Sequence, residues 1–338
     1  MKCSMRSSTR TAKILAICFL CMAASAVLAV CLGAVPVSPG ELISALAGSS
    51  DTAAARILLH VRLPRTAGTL LAGAALSVAG RIIQCVLGNP LASPNIIGVN
   101  AGAGFFTVLC IALFPYDTAL QPFAAFFGAL AAVMAVYFIA RKTGASRITL
   151  VLAGIAVGSL LNAGIDTITV FMPNSVPGIT SYKIGGLAGV TFGKLSPAWI
   201  IILVGLLAAI LLSRDLDVLS LGDTTAKSLG MNAELTRFLL LTTAAALAGA
   251  AVSFAGLIGF VGLIVPHCAA KITGSGNSLT LPVCALLGAA FLTVCDIVAR
   301  TLFAPFEIPL GIIVSYIGVP FFIYLVLRKK GGRHGDRT

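Results

Sequence analysis

Charge is scarce in this sequence. Lys and Arg number 23 and Asp and Glu 11 in 338 residues, 10% of the chain, where a soluble domain carries roughly 25%. Histidine is scarcer still. His60, His267 and His334 stand apart with no ligand cluster around them, which argues against a metal site and against an intramembrane enzyme built on clustered His, Asp and Glu. The charge that is present sums to +12 and sits in tails and short loops. It forms no basic patch interleaved with aromatics, so nucleic acid is not an expected partner. Cysteine is not lacking, at nine, but eight of them (Cys18, Cys21, Cys31, Cys85, Cys110, Cys268, Cys284, Cys295) lie in apolar runs. Cys18 and Cys21 form a C-x-x-C without strand context, and we read it as packing, with no disulfide framework.

Apolar length is what the chain has most of, with 58% hydrophobic residues and a mean hydropathy of +1.04. No soluble core hides that much apolar surface, so lipid is the solvent, and a span needs about 20 apolar residues. The N-terminus (Lys2, Arg6, Arg10, Lys13, then apolar 14–34) imitates a signal peptide, with Ala24-Ser25-Ala26 as a possible cleavage site. The run is long enough to span, and we read it as an uncleaved first helix. An amphipathic stretch, 37–60, is expected outside the bilayer. The uncharged run 82–116 is too long for one span, and its centre, Gly88-Asn89-Pro90-Leu91-Ala92-Ser93-Pro94-Asn95, breaks it in two. The expected spans are 14–34, 66–87, 94–116, 118–140, 148–170, 195–213, 238–255, a shorter one ending near 270, 281–300 and 308–327. The fold class is therefore all-α, a polytopic membrane protein of about ten helices in one domain: tail 1–13, membrane domain 14–327, basic tail 328–338. With both termini in the cytoplasm, 17 of the 23 Lys and Arg fall inside and six outside, the positive-inside bias.

Several features stand out against this apolar ground. Arg62-Leu63-Pro64-Arg65 precedes the second span, with two arginines one turn apart if a helix begins at Pro64; Arg300 stands at the same outer end. An arginine fork suits docking of carboxylates, and interfacial snorkelling is the alternative. The largest inner loop holds Leu221-Gly222-Asp223-Thr224-Thr225-Ala226-Lys227-Ser228-Leu229-Gly230, a short helix between glycines that suits a cytoplasmic partner or is a solvated turn. Its Ala-Lys-Ser lacks the glycine and strand of a P-loop, so nucleotide binding by this chain is not expected. Gly154, Gly158, Asn162 and Asp166 recur every four residues on one face of the fifth span, facing a neighbouring helix or a water-filled path. Asn89-Pro90 is a gate or an ordinary inner loop. Arg81, late in the second span, either snorkels or faces the path.

Taken in order, Arg62-Leu63-Pro64-Arg65, Gly73-Ala74-Ala75-Leu76, Gly88-Asn89-Pro90-Leu91-Ala92-x-Pro94-x-x-x-Gly98-Val99, Leu221-Gly222-Asp223 to Ser228-Leu229-Gly230, Gly256-x-Ile258-Gly259-Phe260-Val261-Gly262-Leu263-x-Val265-Pro266-His267, Ala299-Arg300 and Glu307-Ile308-Pro309-Leu310-Gly311 to Gly318-x-Pro320-Phe321-Phe322 resemble the FecCD-type permeases, from about residue 14 to 330. These are membrane subunits of ABC importers for iron–siderophore, haem and cobalamin, with a type II importer permease fold. The resemblance implies a plasma-membrane subunit of a prokaryote, paired with an identical or paralogous copy around a path at the two-fold interface. It implies a cytoplasmic ATPase dimer that uses ATP and Mg²⁺ and seats on a coupling helix, 219–230. It implies an external substrate-binding protein that meets Arg62, Arg65 and Arg300. Asn89 and Leu91 would lie at the inner gate, and the helix with Gly158, Asn162 and Asp166 would border the path. The chain would bind no cofactor and catalyse nothing; iron chelate is the cargo with the broadest support in the family, before haem and cobalamin. Arg81 departs from the small or apolar residue expected there. An ion-coupled secondary transporter, the rival of a different class, needs a central acid that the spans lack.

Overall fold

The computed structural model describes residues 2–33, 40, 53–115, 117, 119–142, 146–172, 176–274 and 276–331. Among them all regular structure is helical. In chain order the helices are α1 Lys2–Cys31, α2 Ala53–Ile57, α3 Leu63–Leu87, α4 Val99–Leu113, α5 Gln121–Lys142, α6 Arg147–Phe171, α7 Val176–Ile184, α8 Phe192–Leu211, α9 Ser213–Ser220, α10 Asp223–Ser228, α11 Ala233–Ala255, α12 Val261–Thr273, α13 Asn277–Thr301 and α14 Leu310–Gly331. Among the described residues eight helical stretches are long and apolar enough to cross a membrane, and Val99–Leu113 and Val261–Thr273 are shorter apolar helices. The ten apolar helices match the ten expected spans, with shifted ends.

The largest shift is at the second span. The span was expected from residue 66, with Pro64 as a helix start for the two arginines, yet the helix is continuous from Ala53. A π-helical stretch, Leu58–Arg62, lies between α2 and α3, and the Leu63 N–H donates to the Leu58 carbonyl five residues back. Widening the turn gives the helix a way past a proline, which lacks an N–H and crowds the carbonyl four residues before it. So the end of the 37–60 stretch belongs to this helix, and most of the remainder lies outside the described residues. The expected loop 214–237 resolves into α9 and α10, each too short to span.

Around α3 the bundle closes. Its apolar window is 78% buried, against 17% for α1 and 22% for α6. That difference separates a central helix from those facing lipid or a partner. Lipid gives no hydrophobic drive between helices, so close contact must come from small residues and shared hydrogen bonds. Both are present. A Cβ added at Gly73 would run into the Gly288 carbonyl of α13, and one at Gly80 into the Gly262 carbonyl of α12. Ser77 Oγ donates to the Cys284 carbonyl at 2.6 Å, and the Thr69 and Thr293 hydroxyls bond at 2.8 Å. Opposite these, α11 presents Ala244, Ala245, Ala248 and Ala251, all buried.

The break at 256–260 lies beside other backbone, with Gly256 and Ile258 buried and the rest half-buried. Leu257 N donates to Tyr182 O, Gly186 N to Ala255 O, and Gly311 N to Gly185 O. The end of α7, the break and the start of α14 thus satisfy one another, which is how irregular backbone is tolerated away from water. Phe260 holds φ 62° just before α12, a left-handed conformation that is strained for an aromatic residue. Its ring occupies the space a Cβ on Gly318 would need.

Gly80→Leu is expected to destabilise the detergent-solubilised protein by at least about 1–3 kcal/mol, because the α3–α12 contact is backbone to backbone. Gly259→Ala, with nothing within 4 Å of the added methyl, is expected to leave the thermal midpoint unchanged.

Candidate functional sites at the two ends of the bundle

Polar side chains gather at both ends of the helical bundle. At one end the three arginines singled out in the sequence come together, and all are buried: Arg62 is 3% exposed, Arg65 6% and Arg300 3%. They do not present a common fork to solvent. Arg62 Nη1 donates to the Val30 and Cys31 carbonyls at 2.8 and 2.9 Å, and Arg300 Nη2 to the Ala29 carbonyl at 2.6 Å. The last turn of α1 leaves carbonyls without intrahelical partners and carries a partial negative charge. Two guanidinium groups meet both demands. Arg65 points elsewhere: its Nε donates to both Asp296 oxygens at 3.0 and 3.1 Å, and its Nη1 to Glu307 at 2.7 Å. Asp296, 1% exposed, also lies 3.5 Å from Arg300 Nε. Three arginines thus face two carboxylates and one helix C-terminus. Within the chain their donors hold α1, α3 and α13 together.

The opposite end holds the 219–230 segment. α9 packs with Leu216 and Leu219 fully buried, and α10 touches the bundle through buried Ala226. Asp223, at the first position of α10, accepts from Arg237 of α11 at 2.6 Å. Gly222 and Gly230 take φ 111° and 79°, the left-handed values that bracket the short helix. Leu221 and Leu229 are 65% and 64% exposed, and Lys227 and Ser228 are exposed beside them. Two bare leucines flanking a polar turn, outside any span, make a small knob that a protein partner can bury.

Arg81 finds its explanation here. Its Nε donates to Asn277 Oδ1 at 2.7 Å, and Asn277 gives both its backbone N–H and its Nδ2 to Asp217 Oδ1, at 2.9 and 2.7 Å. Arg147, at the start of α6, donates to the Leu219 carbonyl at 3.2 Å. Asp217, Asn277, Arg147 and Arg237 were not singled out in the sequence. Each is an ordinary polar residue at a helix end, and each has a partner 14 to 72 residues away.

The expected gate and path residues are not gathered into one site. Asn89 is exposed and accepts from Leu91 N at 3.0 Å, a turn that fixes the break after α3. Leu91 is half-buried against Leu263, Ile264 and Leu325. On α6 the stripe changes character along its length. Gly154 is packed against the Ile96 carbonyl, Gly158 is half-buried, and Asn162 and Asp166 are exposed. Asp166 lies 3.7 Å from Lys183 of α7. Lys183 also lines a cavity of about 630 Å³ with Leu257, Ser315, Tyr316 and Pro320.

Asp296→Asn removes the carboxylate shared by two buried arginines, and is expected to cost about 3–5 kcal/mol. Glu307→Gln, at a partly exposed pair, is expected to cost under about 1 kcal/mol. Thermal unfolding of the two variants in detergent checks the order.

Comparison with known proteins places this geometry. Residues 20–328 match the model of the FecCD transport family. The Fe(3+)-citrate import system permease protein YfmE of Bacillus subtilis (strain 168) is 38% identical over 329 residues, covering 95% of this chain and 98% of the relative. The iron(3+)-hydroxamate import system permease protein FhuG of the same organism is 35% identical over 328 residues, covering 94% and 97%. A solved chain described as a metal-chelate type ABC transporter in an inward-facing conformation superposes with a TM-score of 0.82 at 28% identity, covering 94% of this chain and 99% of that one. Matched over residues 20–328 and by these relatives over nearly its whole length, the chain belongs to the FecCD transport family.

Proposed function

We propose that this chain is the membrane permease subunit of an ATP-driven, binding-protein-dependent importer and that its cargo is an iron chelate. The observation that carries the reading is full-length likeness to permeases named for ferric citrate and ferric hydroxamate. Transport proceeds by alternating access with the cargo chemically unchanged. ATP and Mg²⁺ belong to a separate cytoplasmic ATPase dimer. The 219–230 segment faces the cytoplasm, in keeping with the distribution of Lys and Arg, and Leu221, Lys227 and Leu229 seat that ATPase. The external binding protein docks at the opposite end. Arg62, Arg65 and Arg300 hold that end in shape, and the docking contacts fall to the exposed surface around them.

A second copy of the permease, identical or paralogous, completes the path. Asn162 lies well inside α6 and is exposed in the single chain. An amide at membrane depth faces protein or water in preference to lipid. A paired copy around a wet path supplies both.

Uptake of radiolabelled ferric citrate, ferric hydroxamate and cobalamin by cells with and without the chain tests the cargo. Loss of an iron chelate alone is expected; loss of cobalamin alone would overturn the iron reading. Leu221→Asp with Leu229→Asp is expected to abolish co-purification of the ATPase while the permease still inserts. Normal co-purification would show that the ATPase seats elsewhere.

A further inference from the structure

The 219–230 segment does not hang from the bundle as a loop. It is joined through α9, whose buried leucines make it a rigid arm. Besides a Ser213–Ser278 hydroxyl contact at 3.3 Å, two polar contacts fix that arm to neighbouring helix ends. The Asp217 carboxylate binds the N-terminus of α13 through two donors of Asn277, and Asn277 in turn accepts from Arg81 of α3. The Leu219 carbonyl, at the end of α9, accepts from Arg147 of α6. The Arg147 guanidinium also lies against Gly88, filling the space where a Cβ would go.

Both contacts therefore lead to one place. Arg81 and Gly88 are seven residues apart, two turns, and so lie on one face of the last stretch of α3. Gly88 ends that helix at φ 60°, and the break carrying Asn89 and Leu91 follows at once. Leu91 packs into an apolar cluster formed by α12 and α14. A displacement of α9 is thus applied to α3 at two points on one face, immediately before the break.

We propose that Asn277 and Arg147 are positioning residues for transport: they form a two-point latch that passes movement of the ATPase-facing segment to the inner end of α3 and the break beyond it. The inference rests on the reading of 219–230 as the ATPase seat. A single hydrogen bond to a charged group contributes modestly to stability, whereas a slack link between arm and helix removes transport at unchanged hydrolysis.

The test uses the full complex in proteoliposomes, with ATP hydrolysis, ferric chelate uptake, ATPase co-purification and thermal midpoint measured together. Asn277→Asp sets two carboxylates against each other, and is expected to lower chelate transported per ATP roughly tenfold, since a charged contact of this kind is worth about that factor. ATPase co-purification is expected to persist. The double variant Asp217→Asn/Asn277→Asp exchanges the two groups, keeps a partner for Arg81, and is expected to recover the ratio to within about twofold. Arg147→Lys, at a half-buried site, keeps the charge and loses the fork; it is expected to reduce the ratio without moving the thermal midpoint. It carries the test if Asn277→Asp fails to accumulate. An unchanged ratio in Asn277→Asp or in Arg147→Lys, or a folded double variant without recovery, overturns the latch. Lys227→Glu separates the two readings: if it and the Leu221/Leu229 variants leave ATPase capture and coupling intact, the seat is misplaced; if they disturb both while the latch variants do not, the seat stands and the latch falls.

Discussion

Hydrocarbon offers no partner to a guanidinium, a carboxylate or a free carbonyl, and the polar networks of this protein follow from that constraint. A carboxylate as buried as Asp296 is tolerated only because Arg65 and Arg300 approach it from two helices. Arg300 in turn reaches a carbonyl at the end of α1. The network is therefore also a geometric device. It fixes the depth of α1, whose own apolar window is hardly buried, against the central pair α3 and α13. Replacing such a network by apolar residues often costs little; breaking one member costs much more. Its value here lies in registering helices whose greasy surfaces alone would slide.

The helices were legible in the sequence because lipid imposes a length and tolerates few charges. Ten apolar runs, and the Asn89-Pro90 break inside an uncharged stretch of 35 residues, were enough to place them. Their starts were less legible. Pro64 marks a helix start in water-soluble reasoning, and only the π-helical stretch before it, which no residue advertises, lets the helix continue through. The arginines were visible as unusual, but their partners within the chain were not. A charge near a span end reads as facing outward unless its partner is known, and the partners of Arg65 lie 231 and 242 residues away. One sequence without its relatives carries no signal for such pairs. Arg81 shows the converse. It looked anomalous because Asn277, which accepts from it, and Asp217, which accepts from Asn277, are unremarkable one at a time.

The stapling of α3 to α13 bears on how the bundle can move. Arg65 with Asp296 joins them at one end, Arg81 with Asn277 at the other, and the Thr69–Thr293 and Ser77–Cys284 bonds lie between. Glycine contacts bring their backbones together at Gly73 and Gly288. Two helices bonded at four levels along their length shift as one body, since packed elements with close backbone contact are not continuously deformable. By contrast α6 and α14 bury only 22% and 33% of their apolar windows within the chain. The stapled core and these outer elements are therefore distinct packing units, the outer ones leaving most of their apolar length to lipid or a partner. The polar contacts at the 219–230 end meet the stapled core and α6 together, through Asn277 and Arg147. The same short segment thus ties these two packing units together at one end of the bundle.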